Sequence, residues 1–222
     1  MPAVVAGVEF TFMGAIVAYA IGLPSHGEVS VRVRRAALPR YDVSRSAGIL
    51  KQARQVPSPN FDPRPADVVA DLIIVHGISL PPGEYGGPWI DRLFCNELPA
   101  AHHPYFAQVA ALRVSSHLLI RRDGAVVQYV RFNDRAWHAG KSAYQGREAC
   151  NDFSVGIELE GSDEEAYTDT QYVNLAGVVR ALCKAYPTLS RQRVVGHSDV
   201  SPGRKTDPGA SFDWARARAL IA

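Results

Sequence analysis

The chain has 222 residues, room for one well-buried domain and an appendage but little for two full domains. Its 47% hydrophobic and 21% charged residues are ordinary for a globular protein, and a net charge of +2 excludes a strong field for nucleic acid or an anionic membrane. Three scattered cysteines, Cys95, Cys150 and Cys183, argue against a disulfide framework or a zinc ribbon; they read as packed thiols and mildly favour a reducing compartment.

Residues 2–23 form an apolar run about as long as a membrane-spanning helix. Three readings compete. A secretory signal would have its cleavage pattern at Ala18-Tyr19-Ala20 but no basic start, and Glu9 interrupts it. A membrane anchor would be followed by Arg32, Arg34 and Arg35, which hold the downstream part on the cytoplasmic side. The favoured reading is that the true start lies downstream. Residues 1–55 carry seven bases and three acids, so the basic character sits there, and 24–55 reads as a polar linker. The expected division is an N-terminal extension over 1–45 and a catalytic domain over 46–222.

From Asp71 the run DLIIVHG suits a buried strand ending at His76 and Gly77. After the Pro/Gly-rich loop 79–87, Pro88 opens a helix through Trp89, Ile90, Leu93 and Phe94, and Pro104 starts another. SSHLLI (115–120) and AVVQYV (125–130) flank Asp123-Gly124, a hairpin signal. In SVGIELEG (154–161), Val155, Ile157 and Leu159 share one face and Gly156, Glu158 and Glu160 the other. Thr168 and Gln171 form a capping box for a helix that Pro187 stops. RVVGHSD (193–199) is a strand delivering His197 to its C-terminal end, and a last helix starts near Asp213. The alternation predicts an α/β fold: one central mixed β-sheet flanked by helices.

Two strands thus end in histidine, and Asp207 follows His197 across a loop stiffened by Pro202 and Pro208. Two imidazoles and one carboxylate suit a catalytic zinc ion, although any two of seven histidines can be paired by eye and a locally hydrogen-bonded His76 is the competing reading. Glu158, a carboxylate within an apolar strand, suits a base that takes a proton from water; a solvated face, kept open by Glu160, is the alternative. Lys205 would set a positive charge beside the metal, or be ordinary solvated surface.

The motifs QVPSPNFD, IVHGISLPPGEYGGPWID, LRVSSHLLIRRDG, VQYVRFNDRAWHAG, QGREACNDFSVGIELEG and GHSDVSPGRKTDPG, with FDWAR, carry a resemblance from about Gly48 to Ala222. The chain resembles the AmpD-type 1,6-anhydro-N-acetylmuramyl-L-alanine amidases of Gram-negative bacteria, relatives of phage amidases and animal peptidoglycan recognition proteins. That resemblance implies zinc ligands at His76, His197 and Asp207, a general base at Glu158 and a transition-state-stabilising Lys205. It implies anhydromuropeptide substrates in cytoplasmic wall recycling, and Trp137, His138 and Arg113 where the family lines its substrate groove, with packing in a hairpin as the competing reading. It implies no nucleic acid and no protein partner. One departure is Gly77, where the family usually carries an Asn able to hydrogen-bond ligand. The alternatives in function are a wall-binding module without chemistry, which relatives become by losing a metal ligand, and a periplasmic amidase acting on intact wall. A serine hydrolase is disfavoured because no G-x-S-x-G elbow exists.

Overall fold

The computed structural model describes residues 38–222; the apolar stretch 2–23 and the first part of the expected linker lie outside the described residues. Among the described residues no helix is long and apolar enough to cross a membrane.

Leu72–Ile78 and Ser154–Glu160 are each seven residues long and lie side by side in parallel at the middle of a six-stranded sheet. Val194–Gly196 pairs parallel on the outer side of the first, and Leu118–Ile120 parallel on the outer side of the second. Leu118–Ile120 turns antiparallel into Val126–Gln128 at Gly124, whose φ of 87° a glycine adopts without strain, and Arg54–Gln55 closes the edge in parallel. The sheet is therefore mixed, with helices on it, as the alternation predicted.

One face packs on the 17-residue helix Asp169–Ala185, whose first turn carries the Thr168–Gln171 capping box, and on Trp214–Ile221. Val155, Ile157 and Leu159 point into this core with Ile73, Val75, Leu118 and Ile120. The opposite face is covered by the short helices Trp89–Phe94 and Pro104–Val109 against Leu119 and Val127, and by Ala139, Cys150 and Phe153 against Leu72 and Ile74. Neither face of Ser154–Glu160 is solvated, since all seven of its residues are buried.

Three expectations are corrected. The described part of the expected linker, 38–55, is packed: Val43–Ser44 pairs with Ile49–Leu50, Leu50 is wholly buried, and the Tyr41 hydroxyl donates to Asn174. His76 does not end its strand, because Gly77 and Ile78 continue the pairing opposite Leu159 and Glu160. His197 is the first residue of a short helix, His197–Val200; the strand stops at Gly196, whose N–H donates to the Asp199 carboxylate at 2.7 Å.

Candidate active site

Parallel register sets the first part of the site. His76 lies directly opposite Glu158, and Glu158 opposite Leu119, so one row crosses three strands on the face away from the long helix. Two rows earlier stands Gly156, where a Cβ would lie 2.6 Å from the His138 ring; glycine is what admits that ring beneath the row. The adjacent strand delivers His197 from its far end. The Ser198 N–H then donates to the Asp207 carbonyl at 3.0 Å, folding the 201–209 loop back so that Asp207 sits beside His197.

The result is a triangle. His76 Nδ1 and His197 Nδ1 are 3.0 Å apart, and Asp207 Oδ2 is 3.1 Å from the first and 3.0 Å from the second. Ligand atoms about 2.0–2.1 Å from a tetrahedral metal ion stand roughly 3.3 Å from one another, so the triangle is within about 0.3 Å of that spacing. The donor set fits a metal ion, and both histidines are almost wholly buried, at 2% and 3% exposure. Burial pushes the His76 imidazolium down to about 4, leaving a neutral ligand at neutral pH. Burial alone would raise the Asp207 carboxyl, but the two imidazoles beside it outweigh that and hold it well below the usual carboxylate range.

The triangle opens on a cleft of about 520 Å³ that Glu158, Lys205, Trp137 and His138 also line, with an apolar wall that includes Tyr105 and Leu112. Glu158 is 8% exposed, and burial first, then the neighbouring Asp207 charge, raise its proton affinity well above that of an ordinary glutamate, with Lys205 opposing. Glu160, on the same strand face, does different work. Its carboxylate accepts from the Gly86 N–H at 2.7 Å, the Arg121 guanidinium at 3.1 Å and the Arg122 N–H at 3.2 Å, which ties the 79–87 loop to the sheet.

The other expected groove residues divide. Trp137 stands at the cleft with its indole N–H donating to Asp62 at 3.1 Å, and Asp62 is in turn held by Arg135. His138 lines the cleft but also lies behind His76, with its Nδ1 2.9 Å from His76 Nε2. Burial holds its imidazole neutral. Arg113 is not brought to the cleft; its exposed guanidinium folds onto the carbonyls of Ala111 and Leu112. A Cβ at Gly77 would collide with the Tyr167 hydroxyl, which donates to the Pro208 carbonyl, so the space a side chain would fill there holds that hydroxyl. Sequence reasoning passed over Asn151 and Ser154. The only signal for Ser154 was its parity with Gly156 and Glu158, and Asn151 carried none.

A mixed sheet that sets a His-His-Asp triangle beside a buried glutamate in one cleft defines an α/β protein with a site compatible with a metal ion. The chain belongs to the N-acetylmuramoyl-L-alanine amidase family, whose model matches residues 66–210, and it is an enzyme of that activity. It is 61% identical over 174 residues to the 1,6-anhydro-N-acetylmuramyl-L-alanine amidase AmpD of Escherichia coli, covering 78% of this chain and 94% of that protein. The AmpD of Citrobacter freundii is 62% identical over 174 residues, covering 78% of this chain and 92% of that protein. A crystal structure of a selenomethionine AmpD derivative superposes with a TM-score of 0.77 at 61% identity, covering 79% of this chain and 98% of that one.

Proposed function

We propose that the enzyme uses one zinc ion to hydrolyse the amide bond between 1,6-anhydro-N-acetylmuramic acid and L-alanine in peptidoglycan fragments, within cytoplasmic wall recycling. The observation that carries this is the triangle of His76, His197 and Asp207 beside a buried glutamate in one cleft. Two imidazoles and a carboxylate with an open fourth direction are the donor set of hydrolytic zinc sites. The anhydro sugar is supported by the names of relatives at about 60% identity. The cytoplasm is supported by Cys95, Cys150 and Cys183, all free.

A zinc ion held by His76, His197 and Asp207 would supply Lewis acidity, raising the acidity of water and polarising the lactyl carbonyl. Glu158 takes the proton of the attacking water as the new C–O bond forms; burial and the Asp207 charge make it a stronger base than an ordinary glutamate. The Lys205 ammonium, on the cleft wall, faces the oxyanion of the tetrahedral intermediate. Glu158 then returns the proton to the amine of L-alanine as the C–N bond breaks. The covered sheet and the apolar wall limit bulk water around these charges, which strengthens each interaction.

The test is mass spectrometry of the full chain incubated with anhydromuropeptides, with and without a chelator. Release of free peptide, abolished by chelation and restored by zinc, is the expected result. A folded, zinc-loaded protein that releases none sinks the reading and favours a binding module; equal or faster cleavage of intact peptidoglycan moves the enzyme to the wall.

A further inference from the structure

The nitrogens of His76 and His197 that face away from the triangle carry information that the triangle itself does not. A neutral imidazole has one N–H and one lone pair, and only the lone pair can bind a metal ion. Whatever fixes the proton on the outer nitrogen therefore fixes the ligand.

For His76 the relay begins at Ser154, behind His138. The Ser154 hydroxyl donates to the Cys150 carbonyl at 2.6 Å, which uses its only proton. At its contact with His138 Nε2, 3.3 Å away, Ser154 Oγ can then only accept, so the proton of the neutral His138 ring is on Nε2. His138 Nδ1 is left with a lone pair, and at 2.9 Å it accepts from His76 Nε2. With the Asp207 carboxylate, 3.1 Å from His76 Nδ1 and 3.0 Å from His197 Nδ1, engaged by a metal ion, the proton of His76 is on Nε2 and its Nδ1 lone pair points into the triangle. For His197 the route is a single step. Its Nε2 is 3.2 Å from the Ala139 carbonyl, an acceptor only, so Nε2 carries the proton and Nδ1 again points inward. Arg204 Nη2 also lies 3.4 Å from His197 Nε2, but its two N–H groups are taken by nearer acceptors, the Ala139 carbonyl at 2.6 Å, Ser201 Oγ at 2.7 Å and the Lys141 carbonyl at 2.8 Å, which leaves Nε2 to donate to Ala139.

Both outer partners come from consecutive residues, the His138 ring and the Ala139 carbonyl. One side chain clamps that pair: Asn151 Oδ1 accepts from the His138 N–H at 3.1 Å and the Ala139 N–H at 2.8 Å. Gly156 leaves the room for the His138 ring.

We propose that His138, Ala139, Ser154 and Asn151 form a positioning frame that accepts the outer N–H of both metal-binding histidines and so presents each to the ion through Nδ1, with His138 acting through His76. This rests on the zinc reading above but assigns His138 a role behind the ligand, beside whatever contact it makes in the cleft. Outer partners of this kind change metal affinity by about 10–100-fold.

The experiment uses the full chain and two readouts other than turnover: zinc affinity by competition with a chelator, and histidine tautomers of the zinc-loaded protein from long-range 1H–15N NMR. In the wild type, His76 and His197 are both expected as Nε2–H, and a proton on Nδ1 of either ring overturns the proposal without any variant. His138→Phe keeps a ring but offers no acceptor. It is expected to lower zinc affinity about 10–100-fold while His197 stays Nε2–H. His138→Gln, whose carbonyl can accept, is expected to recover part of that affinity. Zinc affinity of His138→Phe within twofold of wild type refutes the frame. A folded wild type that binds no zinc would instead refute the metal reading on which it stands.

Discussion

Glu158 and Glu160 are two residues apart on one face of one strand, and the structure gives them opposite contributions to stability and to turnover. Glu160 accepts three donors, one of them the Arg121 guanidinium, and is 2% exposed. In Glu160→Gln the amide can keep the Gly86 and Arg121 contacts on its oxygen but turns an NH₂ group toward the Arg122 N–H. Breaking a buried pair costs about 3–5 kcal/mol; Arg121 retains Asp91 at 3.3 Å, which places the cost near the lower figure. At roughly 2–4 °C per kcal/mol for a domain of this size, the melting temperature falls by about 6–12 °C. Glu158 is the reverse case. Its folded proton affinity is raised, so its ionised form costs stability above the unfolded carboxylate range, and Glu158→Gln removes that cost. The metal-free Glu158→Gln protein is expected to be as stable as wild type or up to about 1–2 kcal/mol more stable, while turnover of anhydromuropeptide falls roughly 10²–10⁴-fold. The assay is urea unfolding of metal-free protein beside single-substrate kinetics with zinc. Equal destabilisation by the two substitutions, or near-normal turnover of Glu158→Gln, refutes the division of labour.

Three further outcomes follow from the site. Lys205→Ala should retain zinc and lose about 10²–10³ in kcat, as expected for one oxyanion stabiliser; turnover close to wild type removes Lys205 from the mechanism. Gly156→Ala should push the His138 ring from its seat and lower zinc affinity in the same direction as His138→Phe, measured by the same chelator competition; unchanged affinity contradicts the close approach. His76, lowered to about 4, His117, lowered to about 3, and His138, also held well below the usual imidazole range by burial, all bind fewer protons folded than unfolded. Metal-free stability is therefore full above about pH 6.5 and falls as pH drops toward 4, by about 1.4 kcal/mol per pH unit for each histidine within its window. Glu158 offsets one such share, so urea midpoints measured at pH 7, 6 and 5 should decline steadily, and a flat series is incompatible with neutral buried rings.

Much of the local structure was legible because its causes lie within a few residues. The capping box at Thr168 and Gln171, the prolines at 88 and 104, the Asp123-Gly124 turn and the alternation of 154–160 each act through contacts one to four residues apart. The packed stretch 38–55 was not legible. Its two-residue strands are too short for a period, and they are held from afar, by the Gln128 side chain on the Leu50 N–H and the Gly48 carbonyl and by Asn174 on Tyr41.

At the site, the sequence by itself determined the donor types, His76, His197 and Asp207, and the polar parity of Ser154, Gly156, Glu158 and Glu160, because residue identity and two-residue alternation are written in the chain. Tertiary structure alone decided which glutamate lines the cleft and which anchors a loop, that Arg113 lies away from the cleft, and that Asn151 and Ser154 stand behind the two histidines. Those outcomes depend on strand register and on hydrogen bonds between residues far apart in the chain, such as His138 on His76, 62 positions away. Register is a property of how strands pair, and no single strand encodes it.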